Sequence, residues 1–179
     1  MKTIAVVSSL ATLLLLSPVS IARSQGTIRS FAFETAYVEG AAGVELVLSG
    51  GGEFDRAWGY VRAGGGFRCM HDIGHGPLAG CRAGEGLRWE ATEILPAGGV
   101  VTSAASGSGS RGEGLRAVRT DDETVVMRAR FYRRGDGSHA AYAATMIVSA
   151  RDVDPARPGV QNVWVEGVGS GDADLLFEQ

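Results

Sequence analysis

The chain has 179 residues, with 17 basic and 20 acidic side chains and a formal net charge of −3. A mildly acidic chain of this length, with arginines scattered among acids, has no general attraction for DNA, RNA or anionic membranes. Lys2 is the only lysine, and alanine and glycine abound; both point to a GC-rich bacterial genome.

The first residues have the anatomy of a secretory signal peptide. Lys2 supplies a positive start, Ile4 to Leu16 an apolar run, Pro18 a break, and Ala22 with its neighbours a small-residue cleavage region. The run is shorter than the ~20 residues a bilayer span needs. We therefore expect residues 1–24 to be removed and residues 25–179 to form one exported domain, periplasmic or extracellular, with no membrane attachment after cleavage. The sequence does not fix an oligomeric state.

Beyond this segment no sustained helical period appears. Short alternating runs recur between glycine-rich turns, the mark of β structure. Ile28 to Val38 reads as a first strand. Val44, Leu46 and Leu48 alternate with Glu45 and Val47. The stretch "GGGEFD", which holds the acidic pair Glu53 and Asp55, reads as a turn. Ala57 to Arg62 reads as a strand with Trp58 and Tyr60 on one face, and Gly64–Gly66 as another turn. Leu87 to Ile94 alternates again, and Gly99 to Ala104 is a weaker strand. Residues 104–114 are low in complexity and read as a loop. Thr124 to Arg133 and Ala140 to Ala150 form the clearest hairpin, turning at Asp136–Gly137. Within that turn, Arg134-Gly135-Asp136 spells a recognition tripeptide, which turn chemistry explains. A loop from Asp152 to Gly159 leads to a last strand, Val160 to Val168, with one helical turn expected near the C-terminus.

About eight sequential strands with short connections predict an all-β, single-domain antiparallel β-barrel, since closure removes exposed edges. A β-sandwich is the alternative. The outline resembles small eight-stranded barrels of the lipocalin-like and cyclase-like kind. That resemblance is architectural and implies a cavity that takes a small molecule.

The densest chemistry lies in "FRCMHDIGHGPLAGC", Phe67 to Cys81, which holds both cysteines and two of the three histidines. Cys69, His71, His75 and Cys81 are zinc-ligand types. Yet they lack a C-x2-C pair, and in an exported chain two cysteines pair with each other. A Cys69–Cys81 disulfide is expected, worth ~3 kcal/mol for a loop of this length; no metal site and no cofactor are expected. His71 and His75 then remain as candidate acid or base groups, with Asp72 as the carboxylate that orients a ring. The pairs Asp152/Asp154 and Asp172/Asp174 lack the further oxygens of a calcium loop and read as solvated loop residues. "GEGLR" recurs at 84–88 and 112–116, too short a match to mark a duplicated unit.

Trp58, Tyr60, Trp89 and Trp164 are the candidate wall residues of a ligand site, because their strands mix aromatic with polar side chains. The sequence carries no nucleotide, phosphate-loop or hydrolase motif. The first functional expectation is a non-enzymatic secreted barrel that binds a small apolar or amphipathic molecule. The second is a barrel cyclase or isomerase using His71 or His75 with Asp72. The third is an interaction module without a cavity.

Overall fold

The structure is a computed structural model that describes residues 27–40, 44–74, 78–96, 122–132, 142–155 and 157–178. Among them there are ten strands and no helix. They are β1 (Arg29–Thr35), β2 (Val38–Gly40), β3 (Glu45–Asp55), β4 (Tyr60–Cys69), β5 (Arg88–Ile94), β6 (Thr124–Tyr132), β7 (Tyr142–Ser149), β8 (Val163–Val165), β9 (Gly169–Gly171) and β10 (Ala173–Glu178). All pairings are antiparallel. Hydrogen-bonded neighbours run β3–β4–β5–β6–β7–β8–β9–β2 and return to β3, a ring of eight. β1 continues the β2 line along β3, and β10 pairs with β1 outside the ring.

Alternation sorts the side chains between the two faces of this sheet. Leu46, Leu48 and Phe54 of β3, Phe67 of β4, Trp89 of β5, Val125, Met127, Ala129 and Phe131 of β6, and Met146 and Val148 of β7 join one continuous buried core. The opposite face of β6 to β8 carries a second, smaller cluster: Val126, Ile147, Val153 and Trp164, with Leu95 against it. Val153 belongs to the loop after β7, so that loop covers the outer face of the sheet. The loop is braced from within. Asp152 Oδ1 accepts from the N–H groups of Asp154 (3.0 Å) and Gln161 (3.2 Å), and Asp154 Oδ2 accepts from the buried Ser170 hydroxyl at 3.1 Å. Arg157 ties the loop to β2 and β9 through Glu39 and Ser170. Asp152 and Asp154 therefore shape the chain, where the sequence suggested only solvated acids.

Four local expectations need correction. Both glycine triplets lie in strands: Gly50–Gly52 in β3 and Gly64–Gly66 in β4, with Gly50 opposite Gly65 and Gly51 opposite Gly64. Absent side chains let these backbones approach where a Cβ would collide. A Cβ on Gly65 would meet Ser49 O and Gly50 Cα. The real turn is residues 56–59, which takes up the first half of the strand expected from Ala57 to Arg62. Asp55 Oδ1 accepts from the Trp58 N–H at 3.1 Å, and Gly59 takes φ +64°; this is turn chemistry that glycine and aspartate favour. The expected first strand is broken at Ala36 and Tyr37, so that its two halves pair with β10 and β9. The C-terminal segment is strand β10 rather than a helical turn. The expected turn at 136–137, the strand at 99–104 and the second "GEGLR" copy lie outside the described residues, as does the signal segment.

Candidate functional site

The Cys69–Cys81 disulfide is formed, with its Cα atoms 6.3 Å apart. It closes a loop at the pole where β4 ends and β5 begins. Backbone bonds fix the loop: Ile73 N–H to Cys81 O (2.8 Å), Gly80 N–H to Ile73 O (2.7 Å) and Cys69 N–H to Glu85 O (2.7 Å). Ile73 and Leu78 join the main core, together with both cysteines. The described part of the loop thus plugs one pole of the ring with Ile73 and Leu78 and turns His71 and Asp72 outward.

Both of these polar groups have partners. The Asp72 carboxylate accepts the Ala83 N–H at 2.8 Å. His71 is two-thirds exposed, and its Nε2 lies 2.9 Å from Glu45 Oε2 at the start of β3. The partner of His71 is therefore Glu45, 26 residues away, and Asp72 works on the backbone of its own loop. Alternation in β3 could have flagged Glu45 as the polar residue beside the loop; only the β3–β4 register, with Leu46 opposite Cys69, brings it to His71. His75 lies outside the described residues. Among the described residues, no three His, Cys, Asp or Glu side chains gather as a metal site.

The four candidate aromatics occupy separate surroundings. Trp58 sits on the β3–β4 turn and is 73% exposed, with Tyr60 half-exposed beside it at the start of β4. Trp89 is fully buried in the main core; its Nε1–H donates to Ser49 O at 2.9 Å, and its ring tilts against Phe33 with centroids 6.0 Å apart. Trp164 is buried on the other face, under the loop after β7.

An open depression lies elsewhere, at the seam between β4 and β5. These strands share only three pairs, Gly64–Glu90, Gly65–Trp89 and Gly66–Arg88. Beyond them, β5 holds its pairing with β6 and is shifted by an irregularity between Ala91 and Glu93, while β4 follows β3. The strands part and leave an open depression of about 470 Å³ lined by Gly51, Val61, Arg62, Ala63, Gly64, Glu90 and Ala91. Val61, Ala63 and Ala91 point to the core yet stay only partly buried. Glu90 is fixed, paired with Arg88 at 2.5 Å and accepting from the Tyr132 hydroxyl at 3.2 Å. Arg62 is exposed and has no ion-pair partner among the described residues. The depression therefore sets three partly buried apolar side chains beside glycine backbone and the Glu90 carboxylate, with the Arg62 guanidinium, directly opposite Glu53 of β3, on its rim. No sequence signal marks it, because it arises from a ladder that ends early.

Comparison with family models, with curated proteins and with solved structures gives no match for this chain.

Proposed function

We propose that this chain is an exported, single-domain β-barrel that binds a small amphipathic molecule at the β4–β5 seam without transforming it. The observation that carries the reading is the parted seam itself, where Val61, Ala63 and Ala91 remain partly open to solvent beside Arg62, which makes no ion pair among the described residues. The volume falls in the usual range for small-molecule sites, roughly 300–1,000 Å³. An apolar tail would cover the half-buried floor, and an anionic head would meet the guanidinium. The ring of eight supports closure as a barrel, and an intramolecular disulfide is compatible with an oxidising compartment outside the cytoplasm.

The test is calorimetric titration with dodecanoate and with dodecanol. The reading expects saturable 1:1 binding of dodecanoate, lost at least tenfold in Ala91→Trp, whose indole fills the depression. Arg62→Gln should weaken dodecanoate several-fold and leave dodecanol unchanged. Absence of saturable binding, or binding indifferent to Ala91→Trp, overturns the proposal.

A further inference from the structure

β10 is an edge. It pairs with β1 on one side, from Ser30–Glu178 to Thr35–Ala173, and among the described residues no strand lies on its other side. The last ring neighbour on that side, β8, stops against β9 at Val163–Gly171, and only one further backbone bond continues the line, Asn162 N–H to Gly171 O. On that side residues 173–178 therefore keep a row of backbone donors and acceptors with no strand partner among the described residues. Their side chains fit this exposure. Leu175 and Phe177 face the core but are only partly buried, and Leu176 on the outer face is 56% exposed. An open edge is a template for a further strand.

The charge on the edge is one-sided. Asp174 and Glu178 flank Leu176 on the outer face of β10. Asp174 stands directly opposite Glu34 of β1, a like-charge pair where cross-strand neighbours normally attract. Among the described residues no cation pairs with Glu34, Asp174 or Glu178. A second copy of β10 is a poor occupant. Antiparallel self-pairing that keeps the apolar faces together sets Asp174 against Glu178 when centred on Leu176. Centred on Leu175, it sets Asp172 against Glu178.

The geometry points to an extended basic peptide segment of another protein as the occupant of the β10 edge. Its pattern is a basic residue, three apolar ones and a basic residue. The two cations would meet Asp174 and Glu178, the central apolar side chain would cover Leu176, and the other two would close over Leu175 and Phe177. Backbone bonds would supply affinity and the charges would select the sequence. This site is independent of the β4–β5 depression.

The experiment uses the full mature protein and an acetylated, amidated peptide with the core Arg-Val-Leu-Val-Arg. Three further probes accompany it: the same peptide N-methylated throughout, its Glu-for-Arg counterpart, and buffer alone. Binding is read by titration, and location by amide hydrogen exchange of residues 173–178. The expected result is slowed exchange over β10 with the basic peptide, and binding weakened at least tenfold by N-methylation, by the Glu counterpart and by the variant Asp174→Lys/Glu178→Lys. Three results overturn the proposal. With no peptide bound, the acids serve only to guard the edge. If the N-methylated peptide binds as well as its parent, charge acts without strand addition. If β10 is protected in a concentration-dependent way without peptide, a second copy is the occupant.

Discussion

The Trp89 indole occupies the space that a side chain at Gly50 would need: a Cβ on Gly50 would lie 2.5 Å from Trp89 Cζ2 and equally close to Gly64 O. Gly50 therefore leaves the space that the largest fully buried side chain of the core occupies. Gly50→Ala should force either the indole or the β4 backbone to move, at about 1–3 kcal/mol. Gly66→Ala is the control. Its Cβ would find only ordinary contacts, with Leu87 O at 3.7 Å and Ser49 Oγ at 3.8 Å, and should leave stability within about 0.5 kcal/mol or raise it slightly. Urea midpoints of the two variants against the parent check both statements. Equal midpoints would remove the case for close packing at Gly50.

The three tryptophans should report three environments. Trp58 is exposed on a turn, whereas Trp89 and Trp164 are buried in different clusters. Iodide should quench only the Trp58 fraction of the emission. Trp164→Ala should cost about 3–5 kcal/mol, because it empties the cluster that seats the loop on β6 to β8. Trp58→Ala should stay within about 0.5 kcal/mol. Quenching of all the emission by iodide, or a neutral Trp164→Ala, would contradict the second cluster.

Much of the sheet was legible because alternation survives wherever one face is buried. Val125, Met127, Ala129 and Phe131 are read from period two alone, and they are the β6 contribution to the core. The disulfide was legible from compartment and count. The glycine triplets read as turns because single-residue chemistry makes glycine a turn former. Only the register between two distant triplets shows them to be strand positions, with Gly50 making room for the Trp89 indole. Trp164 reads as a ligand-wall residue in the sequence because it alternates with polar neighbours. The sequence gives no sign that the loop carrying Val153 folds back over that face. The depression depends on where β4 and β5 stop pairing, which is a property of the whole ring.

Reduction of Cys69–Cys81 should lower stability by about 3 kcal/mol, given a separation of 12 residues. The loop it closes also buries Ile73 and Leu78, so the reduced protein should loosen first at this pole. Hydrogen exchange of the Ile73, Gly80 and Cys81 amides, whose bonds hold the loop, should accelerate before that of β6 and β7. A uniform acceleration across the molecule would mean that the disulfide acts on global stability alone.

Asp72 and His71 are neighbours with separate work, and substitution should part them. Asp72 Oδ1 accepts the Ala83 N–H at 2.8 Å and so ties the two arms of the disulfide loop together. Asp72→Ala leaves that N–H to water and should cost about 1 kcal/mol. Asp72→Asn keeps an acceptor oxygen in the same place and should recover most of the loss. His71 meets Glu45 at 2.9 Å on an exposed surface. Contacts of this kind contribute roughly 0–1 kcal/mol, and His71→Ala should fall at the low end of that range. Thermal midpoints of these three variants and of the His71→Ala/Asp72→Ala double variant, with exchange of the Ala83 amide as the local readout, decide the matter. If Asp72→Ala leaves the Ala83 amide protected, the carboxylate does not fix the loop. If His71→Ala and Asp72→Ala instead lose equal stability, and the double variant loses no more than either, the two side chains act as one unit after all.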